Sequence, residues 1–450
     1  MPSNFKTSAQ MLVGVVCPSS FAELQSQLAE LEYLVCSAQQ PDILEIRLDF
    51  IQDIHINLDN IKQNLIPQKI IFPIILTLRS SQEGGFYSGG EEQRRAIIWE
   101  LAETLQPAFI DLEASIDAHW LSSFQAHYPK IKIILSYHNF KGTDKNISEI
   151  LSMMQQKANA SFYKIALYTH STLEALELLC FLNDVNDNKK IILIPMGEKG
   201  KSCRILTPIF GSALFYCALF ENKFTAPGQL TITEAQSIYH IAKLNEDTKI
   251  YGLLGDPVEQ SIGHLFHNEY FNKLNLNAIY VKWQIPISDL KKSILLLKKL
   301  NINGLSITMP LKEKILPFLD ELNIDAKNIG AVNTVVTHNG KWVGYNTDGK
   351  GALETIKLNV QGKTIALLGA GGAAKAIIYE ALKLNAKVIV FNRTLKKLKQ
   401  ISTQFKNKQL DYSSLENFNA LNNILHYDIL INTLPFNISL PKFLLQKNAI

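Results

Sequence analysis

The chain has 450 residues, of which 47% are hydrophobic and 19% charged, and its formal net charge is only +4. That length predicts two or three domains with real cores and excludes a disordered chain, while so small a charge excess gives no footing for nucleic acid or a membrane surface. The apolar runs stop short of membrane-spanning length. Cysteines at 17, 36, 180, 203 and 217 are odd in number and lack CxxC spacing, which points to reduced thiols in a cytoplasmic compartment and away from zinc. Met1–Gln10 lacks an apolar signal core and reads as a frayed start.

From Met11 to about Lys243, short β-rich runs alternate with longer helical patterns. Strands are predicted at 11–16, 43–48, 70–77, 108–112, 131–137, 161–167, 191–195 and 214–219. Amphipathic helices are predicted at 20–36, 91–104 and 171–182, with apolar residues at three-to-four spacing. Eight such strands over roughly 230 residues are the size and rhythm of a (β/α)8 barrel, whose active-site residues lie at the carboxyl ends of its strands.

Those ends carry the chemistry. The second strand finishes Glu45-Ile46-Arg47-Leu48-Asp49, which places three charges on one face, an arrangement that also suits a plain salt-bridge layer. The third finishes Thr77-Leu78-Arg79-Ser80 and runs into Glu83-Gly84-Gly85, an arginine fork followed by a tight turn. Asp111-Leu112-Glu113 ends the fourth, and His138 ends the fifth. Lys164 lies among apolar neighbours in the sixth. Burial disfavours its charged form, and an amine so placed can attack a ketone to form a Schiff base; taken alone, Lys164 reads equally as a lysine snorkelling at a strand end. Arg204 and the turn Thr225-Ala226-Pro227-Gly228-Gln229 complete the set.

In the ordered segments EIRLD, TLRSSQEGG, DLE, SYHNF, YKIA, GKSCRI and APGQ, residues 11–243 resemble type I 3-dehydroquinate dehydratase. The resemblance implies that Lys164 forms an imine with the ketone of 3-dehydroquinate, that His138 moves the protons, and that Glu83 lies on the loop closing near the leaving hydroxyl. It also implies that Glu45, Arg47, Arg79, Arg204, Thr225 and Gln229 hold the substrate carboxylate and hydroxyls. Thr225 stands where the family usually has serine and keeps the hydroxyl. An aldolase-like lyase is the competing Schiff-base reading, and the Arg79–Glu83 loop and the Thr225–Gln229 turn argue against it.

A closing helix is predicted over 231–244, with a polar linker at 244–249. The βα rhythm then resumes, with strand 250–255, helix 264–274, strand 278–284, helix 288–300, strand 303–308 and a helix after Pro310. These suit an α/β substrate domain over 250–348. The lysine pairs at 291–292 and 298–299 read as a solvated helix rim, and His264 and His267, without further ligands nearby, as surface or capping residues. A Rossmann domain is predicted over 349–450. In it, strand Thr364–Leu368 leads into Gly369-Ala370-Gly371-Gly372-Ala373-Ala374 and a helix to about Leu384. The next strand ends in Asn392-Arg393-Thr394 without an acidic residue, which favours the 2′-phosphate of NADP over the free ribose hydroxyls of NAD.

The segments GDPVEQSIGHLFHN, GLSITMPLK, GAVNTVV, YNTDGKG, GAGGAAKA and NRT resemble shikimate dehydrogenase over 250 to about 435. The resemblance implies that Lys312 and Asp348 are the catalytic pair and that Ser261, Thr308, Asn333 and Asp348 bind the substrate. It places NADP on Gly369, Ala370, Gly371, Gly372, Ala373, Asn392, Arg393 and Thr394. Three departures matter: Gly263 and His264 replace the family's second serine and proline, Ser306 replaces asparagine, and Lys397 replaces an arginine at the 2′-phosphate. The late segment Ile431-Asn432-Thr433-Leu434-Pro435-Phe436 lacks the family's glycine-methionine continuation, and relatives continue past the position of Ile450, so a shortened carboxyl end is expected. The expected whole is a bifunctional enzyme that dehydrates 3-dehydroquinate and reduces 3-dehydroshikimate to shikimate with NADPH. A dehydratase fused to a dehydrogenase-like module that only binds stays open at this point.

Overall fold

The computed structural model describes residues 10–34, 40–52, 54, 58–65, 70–143, 146–185, 190–356, 359–421 and 426–434. They form two compact units. The first runs to Gly252 and includes Val258–Ile285 and Lys292–Ile302; the second holds Leu253–Pro257, Pro286–Lys291 and the described residues from Asn303 onward.

The first unit is built on eight parallel strands: β1 (Met11–Val16), β2 (Ile43–Arg47), β3 (Ile74–Thr77), β4 (Phe109–Glu113), β5 (Lys132–Asn139), β6 (Phe162–Tyr168), β7 (Ile191–Met196) and β8 (Leu214–Ala218). Their order is β7-β6-β5-β4-β3-β2-β1-β8, a near-closed barrel. Helices α1 (Phe21–Leu34), α2 (Leu58–Asn64), α3 (Glu91–Leu105), α4 (Ala118–His127), α5 (Ile147–Lys157), α6 (Thr172–Asp184), α7 (Lys201–Leu206) and α8 (Ile232–Ser237) alternate with them or follow them. Strands such as β2 and β7 are buried at every position, because helices cover the outer face of a parallel barrel while side chains fill its lumen. Val13, Ile43, Ile75, Phe109, Ile134, Ile192 and Leu214 pack into one apolar cluster. Two residues further along, the alternation brings polar side chains inward: Glu45, Thr77, Asp111 and Ser136, all buried.

Several boundaries differ from the sequence expectation. The strand expected at 70–77 is confined to Ile74–Thr77. The closing helix expected over 231–244 is broken: α8 ends at Ser237, His240 takes a left-handed φ of 47°, and a single 3-10 turn follows at Ile241–Lys243. The Thr231–Glu234 capping box starts α8 securely, but a left-handed residue stops an α-helix whatever the propensity downstream. The expected linker is a hydrogen-bonded turn, in which Asn245 N donates to Thr248 Oγ1 (3.0 Å) and Thr248 Oγ1 donates to Asn277 Oδ1 (2.7 Å).

Strand β9 (Lys249–Gly255) runs from the first unit into the second. In the first unit it neighbours β10 (Ala278–Gln284), with α9 (Gly263–Lys273) and α10 (Leu290–Lys299) nearby in sequence. Buried Asn268 locks α9 to β10, donating to Tyr280 O (2.9 Å) and accepting from Tyr280 N (2.8 Å). In the expected solvated lysine rim of α10, Lys299 pairs with Asp184 (2.5 Å).

In the second unit β9 neighbours β11 (Gly304–Ile307), and the sheet continues through β13 (Thr334–His338) and β14 (Lys341–Tyr345) to β12 (Glu321–Leu322). The helix expected after Pro310 does not form. Turns and a 3-10 segment at Leu316–Phe318 occupy that stretch, and α11 (Ile324–Ile329) begins only after Asn323, whose side chain caps it. Helix α12 (Asp348–Thr355) leads to a parallel sheet of order β17-β16-β15-β18, where β15 is Thr364–Leu368, β16 Lys387–Asn392, β17 Leu410–Ser414 and β18 Ile429–Asn432. Helices α13 (Gly372–Lys383), α14 (Leu395–Phe405) and α15 (Leu415–Leu421) flank it. This order reverses between β15 and β18, and a ligand crevice forms at such a switch point. The sequence from Pro435 to Ile450 lies outside the described residues.

Candidate active sites

In the barrel, register sets the first site. Ser136 on β5 lies opposite Lys164 on β6, and His138 opposite Ala166. Lys164, expected among apolar neighbours, is instead an ion-paired buried cation. Its Nζ lies 2.9 Å from Asp111 Oδ2 and 3.7 Å from Glu45 Oε1, and it lies over the ring of Tyr216, 4.3 Å from the centroid. Inward-facing carboxylates on neighbouring strands offset the desolvation that the sequence made conspicuous. Asp111 is wholly enclosed, bound to Arg79 (2.8 Å) and accepting from Ser136 Oγ (2.6 Å). Burial would raise its pKa, but Arg79 and Lys164 outweigh burial and hold the carboxyl below the usual range.

His138 is buried beside those cations. Burial first, then the charges of Arg79 and Lys164, push its pKa well below 6.5, so the imidazole is neutral. Its Nδ1 is 3.2 Å from Glu83 Oε2, and Phe140 stacks on its ring at 6.3 Å and 12°. Burial raises the Glu83 carboxyl to about 7 against the pull of Arg79. The loop that carries Glu83 is held tightly, since a Cβ on Gly84, whose φ is 75°, would overlap the ring of Phe140.

The arginines divide into two kinds. Arg47 is gripped by Asp49 at both ends of its fork, 2.9 Å each, and Arg79 is held by Asp111, Ser136 and Glu113. Among the described residues Arg204 has no such anion: Nη2 donates to Tyr216 O (2.9 Å), while Nη1 is buried without a hydrogen-bond partner. Burial lowers its pKa to about 10. A desolvated guanidinium with an unused donor suits a carboxylate brought by a ligand. Glu45 accepts from Thr77 Oγ1 (2.9 Å), and Gln229 Oε1 accepts from both Thr225 N (2.8 Å) and Thr225 Oγ1 (3.1 Å). The structure therefore brings Lys164 to Glu45, and His138 to Glu83, at the same end of neighbouring strands. It adds Asp111, Ser136 and Tyr216, to which the sequence analysis gave no role. Alternation on β4 could have flagged Asp111 as it flagged Glu45; Tyr216, in the apolar run Leu214–Ala218, gave no signal.

In the second unit Lys312 Nζ contacts Asp348 Oδ2 at 2.5 Å, and Asn333 Nδ2 donates to Asp348 Oδ1 at 2.8 Å. Asp348 opens α12, so its charge lies at the positive end of that helix. A cavity of about 420 Å³ lies beside this pair, lined by Thr308, Lys312, Gly369–Ala374, Asn392, Arg393, Thr394 and Lys397 among others. Gly369 has φ 113°, and a Cβ there would overlap the hydroxyl of Thr433. Gly371 meets nothing within 4 Å, leaving the backbone open to a ligand at the start of α13. Arg393 and Lys397 are exposed. A glycine turn at a helix amino end with two cations along the same cavity fits a dinucleotide that bears an extra phosphate.

In the first unit, Ser261 lies beside Gly263 before α9 and its carbonyl accepts from Lys282 Nζ (3.0 Å). His264 stacks on Tyr239 and His267 on Tyr280, so both histidines pack against aromatic rings.

Three family profiles match the chain: type I 3-dehydroquinase over residues 15–246, the shikimate dehydrogenase substrate binding domain over 253–335, and shikimate / quinate 5-dehydrogenase over 352–440. The shikimate biosynthesis protein AroDE of Chlamydia pneumoniae is 35% identical over 443 residues, covering 96% of this chain and 85% of that protein. The chloroplastic bifunctional 3-dehydroquinate dehydratase/shikimate dehydrogenase of Arabidopsis thaliana is 32% identical, covering 84% of this chain and 64% of that protein. A shikimate dehydrogenase (NADP(+)) of Pyrococcus furiosus is 49% identical over 160 residues, covering 35% of this chain and 58% of that protein.

Proposed function

The chain belongs to the family of bifunctional 3-dehydroquinate dehydratase/shikimate dehydrogenases, and on that premise we propose which of its residues carry the two reactions. We assign the dehydratase to residues 11–243, the linker to 244–249, the dehydrogenase substrate domain to 250–348 and the NADP domain to 349–450. The chain is a shikimate-pathway enzyme, both a lyase and an oxidoreductase. Among the described residues no helix is long and apolar enough to cross a membrane. We place the protein in the cytoplasm, in keeping with four buried free thiols at Cys17, Cys180, Cys203 and Cys217; Cys36 lies outside the described residues.

The dehydratase reading is carried by Lys164 and the neutral His138 on adjacent strands, with His138 two residues beyond Ser136, the register partner of Lys164. Lys164, its proton released to solvent, attacks the ketone of 3-dehydroquinate as the free amine; loss of water leaves an iminium on Nζ. The iminium draws electrons from the neighbouring carbon, whose proton passes to His138. The same imidazole returns a proton to the departing hydroxyl, and water then hydrolyses the imine to release 3-dehydroshikimate and Lys164. Glu83, when ionised, accepts a hydrogen bond from His138 Nδ1–H and so leaves Nε2 free as the base. We assign Arg204 to the substrate carboxylate, and Glu45, Arg47, Arg79, Thr225 and Gln229 to its hydroxyls and the frame that holds them.

In the dehydrogenase, NADPH supplies the hydride when bound in the glycine-lined cavity. Lys312 holds the carbonyl oxygen of 3-dehydroshikimate, stabilises the charge that develops there and gives it a proton; Asp348 orients the ammonium, and Asn333 orients Asp348. We assign Ser261, Thr308 and Asn333 to the substrate, and Gly369, Ala370, Gly371, Gly372, Ala373 and Asn392 to the cofactor. Arg393 and Thr394 would take its 2′-phosphate. The test is a coupled assay in which 3-dehydroquinate and NADPH are added to the chain and cofactor oxidation is followed. Oxidation without further enzymes supports both assignments. Oxidation only after shikimate dehydrogenase is added refutes the second, and none even then refutes the first.

A further inference from the structure

One buried polar atom in the barrel lumen has no place in the mechanism above. Tyr216, on β8, is 4% exposed, and its hydroxyl is buried with no hydrogen-bond partner among the described residues. A hydroxyl in that condition bears a desolvation cost with nothing to offset it, and native cores tolerate few such groups. A phenylalanine would present the same ring at that position without the cost. The ring is not idle, because Lys164 Nζ lies 4.3 Å from its centroid, where the π face attracts a cation. Whatever carbon becomes bonded to Nζ is therefore carried against this ring, on whose rim the phenolic oxygen sits. Tyr216 packs into the same lumen cluster as Ala166, two residues after Lys164, and Tyr168, and its carbonyl takes the proton of Arg204 Nη2. The side chain thus borders the amine, and its backbone anchors the guanidinium assigned to the carboxylate.

We propose that the Tyr216 hydroxyl is a substrate-binding group of the dehydratase, unpaired in the free enzyme and paired by a hydroxyl of the bound cyclic polyol acid, while its ring face supports the cationic amine and the iminium. The proposal rests on the imine reading for Lys164. It predicts opposite signs for two properties of one conservative variant. Tyr216→Phe keeps the face and removes the hydroxyl, so the free enzyme melts at the same or a higher temperature, because the uncompensated buried group is gone. Substrate binding weakens, since one neutral hydrogen bond corresponds to roughly a two- to tenfold rise in KM.

The experiment measures, for the full chain and for Tyr216→Phe, the melting temperature without ligand and the dehydratase kcat and KM. It also measures the 3-dehydroquinate concentration that half-saturates trapping by borohydride, which reads binding apart from turnover. Trapping on Lys164 of the unaltered chain establishes the imine independently, and its absence would overturn that reading before Tyr216 is tested. With the trap present, unchanged or raised melting temperature together with a two- to tenfold rise in both KM and half-saturation is the expected result. Unchanged binding in the variant would overturn the proposal, as would a lowered melting temperature, which would mean that the hydroxyl is already paired within the protein.

Discussion

Replacing Glu83 by glutamine should make the barrel more stable and its enzyme slower, both as functions of pH. The half-buried Glu83 carboxyl is pushed up to about 7 from 4.5, a difference that corresponds to about 3 kcal/mol. The folded state keeps this proton where the unfolded chain has lost it. The associated stabilisation is therefore complete below about pH 4.5 and is lost as pH rises through about 7. Glutamine never ionises, so Glu83→Gln should match the unaltered chain near pH 4.5 and exceed it by up to about 3 kcal/mol at pH 8, roughly 6–12 °C for a barrel of this size. Calorimetry at the two pH values, reading the transition that trapped substrate shifts, measures the difference.

Activity should run the other way. Only ionised Glu83 accepts a hydrogen bond from Nδ1–H, with Nδ1 3.2 Å from Oε2, and leaves His138 Nε2 as the base; protonated, it donates to Nδ1 and gives the wrong tautomer. A group titrating at about 7 goes from about one-tenth to about nine-tenths ionised between pH 6 and 8, so dehydratase kcat/KM should rise about tenfold over that range. In Glu83→Gln the rise should vanish and the rate at pH 8 should fall roughly tenfold or more, part of the 10²–10⁴ that a positioned acid–base group contributes. A flat profile in the unaltered chain, or a surviving limb in the variant, would refute the coupling of Glu83 to His138.

Other outcomes follow from the same geometry. Lys164→Ala should abolish the borohydride adduct and dehydratase turnover while leaving NADPH-dependent reduction of 3-dehydroshikimate intact, as assayed separately. Lys312→Met should cut that reduction by roughly 10²-fold or more, with dehydratase kcat unchanged, because it removes both the proton and the charge at the carbonyl oxygen. Arg393→Ala should raise the KM for NADPH by roughly tenfold or more and leave that for NADH nearly unchanged, the loss of a charge-assisted phosphate contact. Gly263→Ser should be accommodated, since a Cβ there meets nothing nearer than Ser261 Oγ at 3.7 Å, and should lower the KM for 3-dehydroshikimate several-fold by restoring a hydroxyl. An unchanged KM would mean that residue 263 does not face the substrate.

Periodicity and strand-end chemistry by themselves determined the barrel, the glycine turn after β15 and the residues at each strand end, because alternation along a strand and the backbone freedom of glycine are local properties. Local pattern also overreached. A helical signal after Pro310 and another across Ile238–His240 were overruled by turns whose left-handed or irregular backbone depends on what lies around them. Lys164 shows the deeper limit. From the sequence it is an amine among apolar neighbours; in the fold it is paired with Asp111 and Glu45 and backed by Tyr216, none of which is its neighbour in the chain. The neutrality of His138, the raised carboxyl of Glu83 and the unused nitrogen of Arg204 likewise exist only after folding. Desolvation and Coulomb interactions act through space, and a sequence records which groups are present but not which of them are brought out of water together.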